Sequence, residues 1–429
     1  MTKYVLAIIF LLCGLACTKD FEKINTNPNA PVEVQPSLLL RQVIYDYGDE
    51  MAYEGFVAGN LLGQYFTEID FNLFDRHSLS EPQFGGNPWP TLYKNLRDNE
   101  ILLQQARTNP ALSVYEGPAL ILKAYLSAAL TDIYGDVPYS EALRGGEGIV
   151  TPRYDNQEQI YLSDGGILDN LKKGKTAIQN YSGVAALEGD IIFNGDLNRW
   201  EQFANSLLIK ALVRISARVD VSAELQQLYD KGNFIQTNAD NAVFGFTDSQ
   251  PNNFRMANLR AGDFNLFILS KTMEEILKNL NDPRLAVFFR PADSTGDFGG
   301  LLNGPDASQT SITVADFSLT GKIFREEPGS LQANFITAWE TAFLLAEAAE
   351  RGLISADAKT LYESGVEMAF DYWNTALPAD YLTAGPAAYG QNGENKIEQI
   401  ITQKWVANII NGYEGWIDFR RTGFPKLKP

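Results

Sequence analysis

The sequence predicts a mainly α-helical protein, an irregular stack of tetratricopeptide-like helix pairs with long loops and a few small strands. Three observations predict it. Apolar residues recur at helical spacing in several long segments, no Val/Ile alternation runs far enough to suggest a large sheet, and a seam of alanines marks a close helix–helix approach.

The chain opens with a leader. Met1-Thr2-Lys3 carries one positive charge, and Tyr4 to Leu12 is an apolar run fit for a signal-peptide core, well short of the roughly 20 residues that span a bilayer. Gly14-Leu15-Ala16-Cys17 then matches a lipobox, with cleavage before Cys17, a diacylglyceryl group on its sulfur and an acyl chain such as palmitate on the new amino terminus. Several chains anchor firmly, since each buried methylene contributes about 0.8 kcal/mol. Residues 1–16 are therefore read as a lipoprotein signal peptide and 17–35, rich in Asn, Pro and charge, as a lipidated tether. The competing reading is an ordinary secretory leader with an incidental cysteine. Cys13 leaves with the leader, so the mature chain has no disulfide and needs a conventional apolar core, which 429 residues at 45% hydrophobic content supply.

Residues 36–429 read as a single helical domain. Its strongest helix is Glu116 to Tyr134, where Leu122, Tyr125, Leu126, Ala129 and Ile133 share one face. Gly135 suits a left-handed C-cap and Pro138 forbids continuation. A second helix is expected over 199–219, with Trp200, Phe203, Leu207, Lys210, Ala211 and Arg214 at helical spacing. A third, over 334–351, carries Ala338, Ala342, Ala346 and Ala349 and ends at Gly352; 357–373 supplies its antiparallel neighbour. Further pairs are 93–106 with 116–134 and 160–178 with 199–219. Irregular spacing between pairs argues against a regular solenoid. Residues 233–266 and 286–332, rich in Gly, Asn, Ser, Asp and Phe, read as long loops or small strands, where binding groups commonly sit.

Composition excludes several functions. The formal net charge is −18, so nucleic acid and anionic lipid headgroups, which need Lys and Arg clusters, are unfavourable partners. His77 is the only histidine, which excludes paired-histidine zinc motifs and leaves a serine triad a single possible base. Gly321-Lys322 lacks the preceding glycine of a phosphate loop. Glu414 and Asp418, beside Arg420 and Arg421, fit local ion pairing better than a glycosidase pair. No catalytic residue, cofactor or metal is expected.

Aromatic residues make up 12% of the chain, many of them in the loop-like stretches. Flat rings stack on the apolar faces of sugars while amides and charged groups bond the hydroxyls. The ligand-binding candidates are Phe84, Asn87 and Trp89 in one segment, Asn253, Phe254 and Arg260 in a second, and Phe298 in a third. For each aromatic the core is the competing location, and Trp89 could simply cap a helix beginning near Tyr93.

Several motifs together resemble the SusD/RagB family of Bacteroidetes outer-membrane lipoproteins. They begin with Lys19-Asp20-Phe21 and Asn25-Thr26-Asn27-Pro28, and continue with Thr131-Asp132-Ile133-Tyr134-Gly135-Asp136-Val137-Pro138-Tyr139-Ser140-Glu141-Ala142-Leu143. Next come Arg199-Trp200-Glu201-Gln202-Phe203-Ala204-Asn205-Ser206-Leu207, Asp282-Pro283-Arg284-Leu285 and Ala346-Glu347-Ala348-Ala349-Glu350-Arg351-Gly352. The last are Gln403-Lys404-Trp405 and Gly412-Tyr413-Glu414-Gly415-Trp416, leading to Arg420-Arg421-Thr422-Gly423. The resemblance implies a tetratricopeptide-like helical fold facing the cell exterior. It also implies a partnership with a SusC-type TonB-dependent transporter, to which a captured nutrient is passed.

The function expected is therefore capture of an oligosaccharide without bond cleavage. An oligopeptide ligand, a surface glycosidase and a pure scaffold are the rivals. The motifs carry no ligand-contact residue, so the site candidates rest on the loop argument alone. Family members usually continue past the Arg-Arg-Thr-Gly segment, so a shortened C-terminus is also expected.

Overall fold

Pro36 opens the first long helix of the described residues, at a position where no backbone N–H is needed. This helix, α1 (Pro36–Glu54), buries Leu39, Leu40, Val43, Ile44, Tyr47 and Met51 along one face. It continues through one wide π-turn, Gly55–Gly59. The structure is a computed structural model describing residues 34–70, 72–79, 85–305, 312–391 and 395–429; Cys17 and Phe84 lie outside the described residues.

Beyond a few single-turn pieces, the helices that follow are α2 (Trp89–Thr108), α3 (Glu116–Tyr134), α4 (Gln157–Leu162), α5 (Ile167–Asn180), α6 (Leu197–Ile215) and α7 (Ser222–Lys231). Then come α8 (Lys271–Asn279), α9 (Ala338–Glu350), α10 (Ala358–Tyr372), α11 (Lys396–Ala407) and α12 (Gly412–Thr422). Side chains satisfy many of their first amides: Asn156 makes a capping box with Gln159 on α4, and Asp196, Asp357 and Asn395 cap α6, α10 and α11. Among the described residues, six short strands interrupt them: β1 (Phe66–Glu68), β2 (Val137–Pro138), β3 (Tyr154–Asp155), β4 (Ala242–Gly245), β5 (Phe267–Leu269) and β6 (Gln332–Ile336). They form antiparallel pairs β1–β5, β2–β3 and β4–β6, so the fold is mainly helical with small strands, as expected.

The anticipated pairs form. Helix α2 packs on α3, α5 on α6, and α9 on α10, while α3 also packs against α5 and α6 against α9, giving one continuous stack. Contact between α3 and α5 runs through Gly117 and Gly174. A Cβ on Gly174 would lie 3.0 Å from the Gly117 carbonyl oxygen, and one on Gly117 would lie 2.5 Å from Ile178 Cγ1. Two glycines, not the alanine seam alone, set how closely these helices approach. On α10, Gly365 serves the same end against Phe343.

Three local expectations need correction. The segment 160–178 is not one helix, because a turn containing Gly165 at φ +73° and Gly166 separates α4 from α5. Residues 334–336 belong to strand β6, and α9 starts only at Ala338 behind its cap Thr337; the pairing of β6 with β4 overrides the helical spacing upstream. Gly135 does end α3, but at φ 79°, ψ −126°, a conformation outside the left-handed helical well that is essentially confined to glycine.

A buried network of charges crosses the stack. Lys210 on α6 pairs at 2.9 Å with both Glu340 on α9 and Glu414 on α12. One turn on, Arg214 pairs with Glu414 at 2.6 Å and with Asp132 on α3. Lys404 on α11 meets Asp418 at 2.9 Å, and Arg421 bridges Asp418 and Glu347. Local pairing thus holds for Asp418 with Arg421, but Glu414 finds its partners far away in sequence, and Arg420 bonds the Asp132 carbonyl oxygen. Each of these carboxylates thus has at least one cation as its partner.

Candidate ligand-binding surface

Chain direction brings aromatic rings to the surface at the junction of α1, α2 and α3. Trp89 is the first residue of α2, and Tyr134 is the last of α3, 37% exposed. Their rings meet edge to face at 5.0 Å, and the Trp89 backbone N–H donates to the Tyr134 hydroxyl oxygen at 3.2 Å. Tyr93, one helical turn after Trp89, lies with its ring 4.9 Å from it. The Tyr93 hydroxyl donates to the Pro138 carbonyl oxygen at 2.7 Å, and Pro138 is paired across β2–β3 with Tyr154, which is 65% exposed. The loop carrying Tyr154 is tied down by Asp155, which accepts from the Ser140 hydroxyl and from the Tyr139 and Ser140 backbone amides. Tyr154, Tyr93, Trp89 and Tyr134 thereby form a partly exposed aromatic strip.

Polar groups flank the strip. Asn87, two residues before Trp89, is exposed. Beneath it, the Glu54 carboxylate at the end of α1 accepts from the Gly86 backbone N–H. Burial pushes that carboxyl up to about 7 against the pull of its amide donors. One turn back on α1, Asp49 and Glu50 pair with Arg255, whose guanidinium lies 4.5 Å above the Tyr53 ring. Burial raises Asp49 to about 6, with Arg255 opposing.

The candidates separate clearly. Asn87 and Trp89 stand on this surface. Asn253 is buried and exchanges hydrogen bonds with Asn258, at 2.8 and 3.2 Å. Phe254 is fully buried, its ring 5.7 Å from both Phe56 and Phe246, so the expectation of a ligand platform fails: the ring belongs to the core. Arg260 is exposed and paired with Asp263 at 2.8 Å. Phe298 is half-buried against the core, its carbonyl oxygen held by Lys278 on α8 at 2.6 Å. Neither Arg260 nor Phe298 takes part in the contacts that join the 85–89 segment to α1. Sequence reasoning missed Arg255, Glu54, Tyr93, Tyr134 and Tyr154. Tyr134 lies inside the Asp-Ile-Tyr-Gly-Asp-Val-Pro motif, where its place at the helix end, just before Gly135, was the available signal.

Chemically, the surface offers rings for stacking, an amide and ion-paired carboxylates for hydroxyl groups. His77 is exposed in the turn around 73–77, with its backbone N–H on the Phe74 carbonyl oxygen at 3.0 Å. Among the described residues no group of three or more His, Cys, Asp or Glu is arranged to hold a metal, and no helix is long and apolar enough to cross a membrane.

The SusD-like family, described as starch-binding and associating with the outer membrane, matches residues 28–429. The chain belongs to the SusD-like family. A SusD homologue from Bacteroides fragilis superposes with a TM-score of 0.78 at 22% identity, covering 92% of this chain and 88% of its own. A second from the same species gives 0.78 at 24%, covering 92% and 89%. A chitin-binding SusD homologue from Flavobacterium johnsoniae gives 0.75 at 23%, covering 92% and 87%. These likenesses establish the SusD fold. No curated protein matches the chain.

Proposed function

We propose that this SusD-like protein captures an oligosaccharide on the aromatic strip and releases it uncleaved. The capture takes place outside the cell, where acyl chains on Cys17 hold the protein to the outer membrane, and a SusC-type TonB-dependent transporter takes the ligand. The observation that carries the reading is the strip itself: Trp89 and Tyr134, partly open and mutually braced, beside the exposed Asn87 amide. Rings held rigid before binding lose little conformational freedom when a sugar stacks on them. Membership of a starch-binding, outer-membrane-associated family supports the same reading, as does the net charge of −18, which suits a neutral glycan.

Isothermal calorimetry and affinity electrophoresis against maltoheptaose, chitohexaose and a mixed oligopeptide test it. Saturable binding of either sugar that is lost in Trp89→Ala is the expected result. Binding of the peptide alone would replace the glycan with a peptide ligand, and release of shortened sugars would make the protein an enzyme.

A further inference from the structure

Glu54 is an unusual carboxylate: it is only 4% exposed, at the end of α1, and it faces backbone amides rather than a cation of its own. Both amides come from the segment that presents Asn87 and Trp89. Gly86 N–H donates to Glu54 Oε2, and the Asn87 N–H adds a second bond. The chain can wrap this closely because Gly85 and Gly86 both take positive φ, +76° and +81°. A Cβ on Gly85 would come within 3.4 Å of Tyr53, Val57 and Glu54 itself, and one on Gly86 would overlap the Phe74 ring. Successive amides curled round an acceptor form a nest that favours negative charge.

We infer that Glu54 is the positioning residue of the ligand surface, its ionised carboxylate holding the Gly85–Asn87 backbone so that the Asn87 amide and Trp89 ring face the ligand. The inference rests on the reading of that surface as the ligand site. It adds a pH response that an uncharged sugar cannot supply. Other ionisable groups around Glu54 are Glu50 and Tyr53 on α1, Arg255 from the 255–258 turn, Tyr134 at the end of α3 and Tyr413 on α12. Glu50 and burial favour the neutral acid, while Arg255 and the two amides favour the anion. The balance leaves Glu54 titrating near 7. The anion is the stronger acceptor for the amides, so the loop is held best above that pH and loosens below it. Overall stability moves the other way: the folded value lies above the ordinary 4.5, so ionisation is disfavoured in the folded chain and stability falls as pH rises through about 7. A purely structural carboxylate would alter stability alone.

The test uses the lipid-free protein, maltoheptaose and chitohexaose as probes, and pH from 5.5 to 8.5. Affinity of the wild type for the sugar that binds is expected to rise about five- to tenfold across this range, the difference between a charged and a neutral acceptor. Glu54→Gln should bind weakly with a flat profile, and Glu54→Asp, which keeps the charge, should retain the slope. Independently of any ligand, hydrogen exchange at the Gly86 and Asn87 amides should lose protection in Glu54→Gln at pH 8. Unchanged amide protection in that variant, or a wild-type slope surviving in it, overturns the inference; should Glu54→Gln fail to fold, a flat profile in Glu54→Asp does so. If neither sugar binds the wild type, the ligand reading fails, and the exchange measurement alone decides whether Glu54 holds the loop.

Discussion

Lys210 Nζ lies 2.9 Å from Glu414 Oε1, joining α6 to α12 inside the helical stack although the two residues stand far apart in sequence. Both side chains are largely buried, at 9% and 13% exposure, so water screens the pair poorly. Arg214 and Glu340 complete the cluster, and each charge there faces at least one opposite charge. The arrangement registers α6, α9 and α12 against one another.

Removing Lys210 leaves Glu414 paired with Arg214 but Glu340 with only Lys404, at 3.9 Å. Lys210→Met is expected to destabilise the protein by about 3–5 kcal/mol in urea unfolding, because Glu340 loses its nearest cation in the interior. A loss below about 1 kcal/mol would show that water or rearrangement compensates the carboxylates.

Acid should act through Glu414. Burial raises its carboxyl, but Arg214, Lys210 and Lys404 outweigh that and lower it to about 2, below the ordinary 4.5. Its stabilising contribution is complete above 4.5 and is lost as pH falls through about 2. The stability gap between wild type and Glu414→Gln should therefore narrow over that window in pH-dependent chemical denaturation. A gap constant between pH 5 and about 2 would remove Glu414 as the titrating group.

Burial also divides the aromatic candidates. Phe254 packs among Phe56 and Phe246, so Phe254→Ala should lower stability by about 3–5 kcal/mol, as large-to-small core changes do. Trp89→Ala should instead reduce sugar affinity at least about tenfold while changing stability less, since its ring is half-buried and part of its area awaits a ligand. Unfolding curves and calorimetry on both variants make the comparison, and equal stability losses would contradict the division.

The two residues also show what sequence makes legible. Helix pairs were readable because apolar residues three and four apart on α3, α6 and α9 must face a neighbour, whatever that neighbour is. Phe254 and Trp89 sit in equally irregular, aromatic-rich stretches, and no periodicity there says which ring faces inward. Partners distant in sequence are invisible for the same reason. Glu414 stands four residues from Asp418, which suggested a local cluster, while its cations come from α6. Arg255 over Tyr53 and Gly86 on Glu54 are likewise products of folding. Short strands are lost too, since the five residues of β6 carry less pattern than the helix that follows them.

The α3–α5 crossing sets a limit that a single methyl group should exceed. Helix propensity alone favours Gly174→Ala by about 1 kcal/mol, because alanine orders the helix at lower entropy cost. Against this, the new Cβ would lie 2.8 Å from Ile121 Cγ1 and 3.0 Å from the Gly117 carbonyl oxygen. Ile121 can rotate, but the carbonyl belongs to the α3 backbone and yields only if the two helices separate. Overpacking of this kind costs about 1–3 kcal/mol, so the net effect should be destabilising. Gly174→Val, with two further carbons at the same contact, should be worse, and the loss should appear in thermal unfolding of the whole chain because α3 and α5 lie in the middle of the stack. An unchanged or raised Tm in Gly174→Ala would mean that the helices tolerate a wider spacing and that the glycine pair does not set it.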